Sequence, residues 1–371
     1  MKTILLVALL SSQYIGDNSN ALGIRAALNE GYKNKGFEVE NVDIKIEELK
    51  NTQINTNQAE KQVIFIGAGL DGIKGFDILK SMKNNSKFIW SGHQLPVEVK
   101  DNLEVLDTIS LPFYALNEEQ KTHIKQANPE IKLIETIGIP HNLTREECIN
   151  DYNDFKNNGK IPASPNGYII TCLAGDAQDS QRNIKFYTED EAYELGKQLA
   201  KIAKDKNMIL LATNGPRTGQ YNPETKAKLS VHKQEDQLDK VSQKFLEGVK
   251  SEKIEPIFEN FVFGVKSVFN GYLGAALENP QSIVIIPGEF STQVTIGTNL
   301  LPGQVYIKPN QAMNDIHELQ VNKLLEKGIK IFNGDEKALT PYPFTIIPND
   351  ANIIAEQFIE SNDTKLMGDI E

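Results

Sequence analysis

Residues 3–28 read TILLVALLSSQYIGDNSNALGIRAAL. The first eight are apolar almost without interruption, which suits a strand buried on both faces of a parallel sheet. Gly16-Asp17-Asn18-Ser19-Asn20 is a cluster of turn formers. Ala21, Leu22, Ile24, Ala27 and Leu28 then recur at helical spacing. Strand, polar turn and helix in that order open an α/β domain. Lys2 and the apolar run after it also have the outline of a short secretory signal. The turn and helix that follow favour the strand, so the expectation is an uncleaved N-terminus and a cytoplasmic protein.

The same grammar continues down the chain. Short apolar runs stand at 38–42, 63–66, 87–89, 108–111 and 132–135. A second set stands at 167–173, 208–212, 282–286, 304–307 and 329–332. Helical patterns lie between them, as at 188–205, where Ala192, Leu195, Leu199 and Ile202 share one face. Such alternation means βαβ units with right-handed crossovers. Residues 151–166 are polar and then rich in proline, which is linker chemistry. The reading is two Rossmann-like, doubly wound α/β domains, 1–150 and 167–340, facing across a cleft. A linker at 151–166 joins them, and 341–371 form a C-terminal helix and a loose tail from 362.

Composition narrows the function. The 371 residues are 40% apolar, enough for real cores, and carry a net charge of −11. That charge disfavours nucleic acid as a partner. Two cysteines, Cys148 and Cys172, make no disulfide framework. Five scattered histidines lack paired-ligand spacing, so no metal is expected. No run is long enough to span a bilayer. The aromatic-rich stretch 258–269 reads as core packing, and a peripheral membrane contact stays open.

In doubly wound sheets, ligands sit beyond the carboxyl ends of the strands. The polar segments there are the candidates. Gly16, Asp17 and Asn18 follow the first strand; Asp17 is placed to act as a general base, or else as a helix cap. Gly67-Ala68-Gly69-Leu70-Asp71-Gly72 has a GxGxxG form but lacks an acidic residue on the next strand, so a glycine turn is preferred to a dinucleotide site. His93 follows the strand at 87–89 and is a candidate acid or base. Thr213, Asn214, Gly215, Arg217 and Thr218 make the best anion-site candidate, since Arg217 offers a planar fork to phosphate oxygens. Glu289 could accept ribose hydroxyls. Ser291 and Thr292 head a helix and would present hydroxyl and N–H groups to a pyrophosphate. Gly175, Asp176 and Asp179 suit a metal or sugar better than a phosphate.

Several of these segments come in a suggestive order: the 16–23 turn, Gly138-Ile139-Pro140-His141-Asn142-Leu143-Thr144, the 162–173 strand entry, the Arg217-Thr218 loop, and 288–298 followed by Pro302-Gly303-Gln304-Val305. That order resembles the mitochondrial-fission "elongated mitochondria" family and its bacterial relatives, over roughly residues 1–335. The resemblance implies a glycosyltransferase-B-like fold with acceptor on the first domain and nucleotide-sugar donor on the second. Two positions depart from the family pattern. Its Arg-Arg pair is here Pro216-Arg217, and its ribose-binding carboxylate falls near Thr298. The resemblance therefore implies either metal-independent transfer from a nucleotide-diphosphate sugar, without a resident cofactor, or a non-catalytic adaptor on the same fold. A dinucleotide-dependent epimerase or dehydrogenase ranks last.

Overall fold

The computed structural model describes residues 3–12, 15–52, 54, 61–83, 86–179, 183–232, 237–334 and 339–367. The chain divides into two compact units, Met1–Leu143 with Pro348–Glu371, and Thr144–Ile347.

The first unit runs β1 (Thr3–Leu10), α1 (Ile15–Asn34), β2 (Glu38–Lys45), β3 (Lys61–Ala68), α2 (Phe76–Met82), β4 (Ser86–Ser91), α3 (Val97–Lys100), β5 (Thr108–Pro112), α4 (Glu118–Ala127) and β6 (Lys132–Thr136). Its six strands are all parallel, in the order β2-β1-β3-β4-β5-β6. β1 is an interior strand between β2 and β3, and its side chains divide by the two-residue period of a strand. Ile4 and Leu6 pack with Ala21, Ile24 and Leu28 of α1, while Leu5, Val7 and Leu9 join Phe65 and Trp90 on the other face. That two-sided burial explains why the run is apolar throughout.

The second unit begins with α5 (Arg145–Asn157) and continues through β7 (Tyr168–Cys172), the small hairpin of β8 (Ala177–Gln178) and β9 (Ile184–Lys185), α6 (Glu189–Asp205), β10 (Ile209–Thr213) and α7 (Lys240–Ser251). It ends with β11 (Ile257–Glu259), α8 (Phe269–Glu278), β12 (Ile283–Pro287), α9 (Ser291–Leu300), β13 (Val305–Lys308), α10 (Asp315–Glu326) and β14 (Lys330–Ile331). The six-stranded parallel sheet has the order β11-β10-β7-β12-β13-β14. Counted within this unit that is 3-2-1-4-5-6, the order of dinucleotide-binding sheets. Ile169, Leu210, Ala212 and Ile285 pack under α6 and α7 through Leu195, Leu199 and Phe245. Gly196 and Gly248 let those helices meet: a Cβ on Gly196 would overlap the Phe245 carbonyl, and one on Gly248 the Tyr193 carbonyl.

The expectation of two doubly wound parallel domains holds, but the chain is partitioned differently. Residues 151–157 are the second half of α5, opened by a reciprocal Thr144–Glu147 capping box. The helix buries Cys148, Asp151 and Tyr152, and α8 approaches so closely that a Cβ on Gly274 would overlap the Cys148 carbonyl. Residues 158–166 are bonded to the second unit: Tyr168 donates to the Pro162 carbonyl at 2.9 Å and Asn279 to that of Ser164 at 3.0 Å. The last helix, α11 (Asp350–Met367), belongs to the first unit and continues past the expected start of a loose tail at 362. The Asp350 carboxylate accepts from the N–H groups of Ile137 and Gly138 at 3.1 and 2.9 Å, and Ile354, Phe358 and Ile359 join the α1 core. The 258–269 stretch is not core throughout: Phe263 and Val265 are more than half exposed. No helix among the described residues is long and apolar enough to cross a membrane.

Candidate functional site

In the first unit the strand order reverses between β1 and β3, and the residues just past those strands form an acidic cluster. Gly16, Asp17 and Asn18 are not a loop: α1 starts at Ile15, so they form its first turn. Asn18 is tied to the end of β1, donating to the Ser11 carbonyl at 2.8 Å and accepting from the Ser11 N–H at 2.6 Å. Both ends of its amide are thus structural. Asp17 lies against Gly69, where a Cβ would collide with the carboxylate; the φ of +61° there also calls for glycine. Burial, and then the charge of Asp71, raises the Asp17 pKa to about 6. Asp71 is buried too, yet bonds from Lys74 and Ser11 outweigh its burial and hold it below the usual carboxylate range. The GxGxxG segment is this turn. It leads into a three-residue 3-10 turn, Asp71–Ile73, not a long helix, and Gly67 and Gly72 pack against each other. His93 stands exposed beyond β4.

Asp17 carries a testable cost. Its native pKa lies above the unfolded value, so the protonated form favours folding and that advantage fades as pH rises through about 6. Denaturant unfolding at pH 4 and pH 8 should show native protein losing about 1–2 kcal/mol more than Asp17→Asn over that interval, after allowance for partial exposure. Parallel pH profiles would refute the assignment.

In the second unit the reversal falls between β7 and β12. The loops beyond them are joined by Glu289, only 1% exposed. One carboxylate oxygen accepts from the Gly175 N–H at 2.8 Å and the other from Asn310 at 2.5 Å. Burial raises its pKa against the pull of those bonds and of Arg217. Glu289 therefore braces these loops, and a ribose contact would share carboxylate oxygens that each already accept one hydrogen bond.

The loop after β10 also divides into frame and working parts. Thr213 donates to the Glu259 carbonyl at 2.7 Å. The buried Asn214 amide donates to Asp239, Ser242 and Asn260 and accepts from the Phe261 N–H. The Gly215 N–H donates to the Thr218 hydroxyl at 3.0 Å, and Thr218 is fully buried. These bonds build the loop. Arg217 is half-buried. Its guanidinium lies 5.1 Å over the Phe290 ring and donates to the Glu289 carbonyl at 3.2 Å. Burial lowers its pKa, while Glu289 and Asp176 oppose that shift.

Phe290 is also the residue ahead of α9, and it provides no side-chain cap. By contrast α5, α6, α7 and α10 are capped by Thr144, Thr188, Asp239 and Asn314. The N–H groups of the first α9 turn, with Ser291 and Thr292, are thus left at the sheet's switch point beside a cation. Helix ends of this kind attract anions. Asp176 accepts from the Tyr187 and Tyr221 N–H groups and is a second buried brace. A residue that sequence reading missed is Lys308, at the carboxyl end of β13, whose ammonium lies 5.4 Å from the Phe332 ring and whose pKa burial lowers. Its position as the last strand residue was the available signal. Among the described residues no group of three or more His, Cys, Asp or Glu side chains could hold a metal ion.

A cavity of about 680 Å³ opens beside the edge strand β11. It is lined by Thr213, Phe258, Phe261 and Lys250 among others, and by none of Arg217, Ser291 or Thr292.

No family model and no curated protein matches the chain, so the resemblance to the mitochondrial-fission family finds no support. Solved structures do align. MurG of Acinetobacter baumannii is 10% identical, with 98% of this chain and 92% of that one covered at a TM-score of 0.35. The ADP-heptose lipopolysaccharide heptosyltransferase II of E. coli is 11% identical, with coverage of 88% and 99% and a TM-score of 0.42. A Methanocaldococcus jannaschii UDP-GlcNAc 2-epimerase, solved with UDP-GlcNAc and UDP, is 9% identical, with coverage of 97% and 99% and a TM-score of 0.39.

Proposed function

We propose that the protein is a glycosyltransferase-like binder of nucleotide-diphosphate sugars. The second unit holds the diphosphate at the start of α9, and Arg217 supplies the charge. One observation carries this reading: a guanidinium stacked on the residue that leads into an uncapped helix, at the point where the strand order reverses. In transfer, an acceptor hydroxyl oxygen bonds to the anomeric carbon while the bond from that carbon to the diphosphate breaks. The electron pair leaves with the diphosphate, whose growing charge the N–H groups and Arg217 stabilise without a metal. The hydroxyl proton passes to a general base.

Calorimetric titration of UDP, GDP and ADP in the presence of EDTA tests the binding step. Saturable binding of one of them supports the reading, and binding of none removes it. A second reading, binding without transfer, would use the same Arg217 and α9 groups. Saturable binding with no turnover of the matching nucleotide sugars would select it.

A further inference from the structure

The fully buried His232 belongs to neither the proposed base nor the proposed anion site, yet it touches the frame of the latter. Its Nε2 lies 2.8 Å from the Thr218 carbonyl, which can only accept, so Nε2 carries the hydrogen. Nδ1 is then a buried lone pair, with no hydrogen-bond partner among the described residues. The backbone at His232 is left-handed, with φ +63°. An unsatisfied buried acceptor and a left-handed non-glycine residue are both unfavourable. A side chain that merely filled the space would need neither.

The bond explains the arrangement. Thr218 follows Arg217 directly, and its hydroxyl receives the Gly215 N–H. The Arg217 carbonyl receives the Asp176 N–H at 3.0 Å. His232 fixes the outgoing side of this turn. It is itself held from behind, because its carbonyl accepts from the Phe263 N–H at 3.1 Å and its ring stands edge-on to Phe261 at 6.0 Å. Phe261 is in turn bonded through its N–H to the Asn214 amide.

We infer that His232 is a positioning residue of the anion site: its Nε2–H holds the Thr218 carbonyl and so sets the aim of Arg217. The inference rests on the reading of that site as a diphosphate site. Two carboxamide variants of the full chain separate positioning from packing. Gln can carry an N–H to the place of Nε2. Asn tolerates left-handed backbone better but its amide stops short. UDP titration and thermal unfolding are measured on native protein, His232→Gln and His232→Asn. The expected affinities are native and Gln within about threefold, with Asn at least tenfold weaker, while the Asn variant melts at or above the Gln variant. Affinity that simply follows melting temperature, or equal affinity in all three, would overturn the positioning role and leave the anion site standing. If native protein binds no UDP, the same titrations are made with GDP and ADP; if it binds none of the three, the site falls and this inference with it.

Discussion

Arg217→Ala should weaken nucleoside diphosphate binding by about 1.5–3 kcal/mol, the range for hydrogen bonds to charged groups, or roughly 10- to 150-fold. The neighbouring groups cannot compensate. Glu289 and Asp176 are buried carboxylates, and the Thr213, Asn214 and Thr218 side chains are bonded to protein partners. The fold should survive, because the side chain contributes one hydrogen bond to the Glu289 carbonyl and one contact with Phe290. Arg217→Lys should recover only part of the affinity, since it keeps a charge but loses the planar fork. Calorimetry on the three proteins decides the matter. Equal affinity in native protein and Arg217→Ala would place the anion elsewhere.

The second large effect is on stability. In an exposed helix interior, Gly→Ala gains about 1 kcal/mol. At Gly248 the sign should reverse. The new methyl would overlap the Tyr193 carbonyl and lie 3.1 Å from the Lys197 N, both backbone atoms of α6 that no rotamer change can move aside. Overpacking of this kind costs about 1–3 kcal/mol, and the same holds for Gly196 against Phe245. Gly248→Ala should therefore lower the denaturant midpoint. Gly16→Ala is the control: it lies in the first turn of α1 with nothing within 4 Å of the added methyl, and should be neutral or stabilising. A Gly248→Ala protein as stable as native would mean that α6 and α7 do not cross as described.

Much of the architecture could be read from period and punctuation. The buried strands are short apolar runs, and the α6 stripe of Ala192, Leu195, Leu199 and Ile202 is buried as its spacing implied. What failed was the reading of polar residues. Asp151, Asn153 and Asp154 look like linker, but α5 forms around them because Cys148 and Tyr152 face a glycine of α8. Gly16 to Asn20 look like a turn, but Asn18 clasps the end of β1 and the helix begins earlier. In the Arg217 loop the cation was legible and the roles around it were not. Asn214 bonds to partners 25 to 47 residues away, a relation no local pattern contains. For the same reason the bonds by which Glu289 braces Gly175 and Asn310 could not be foreseen.

The return of α11 to the first unit bears on synthesis. Residues 144–347 have their whole sheet in one uninterrupted stretch, so this unit can complete itself as it emerges from the ribosome. The earlier-made unit cannot. Ile24 and Leu28 of α1 wait for Ile354, Phe358 and Ile359, which are translated some 330 residues later. At about 5–20 residues per second the delay is tens of seconds. During it an apolar face of the older unit is open to chaperones, and to mispairing with other nascent chains. Damage to the last twenty residues should therefore show itself first as lost yield.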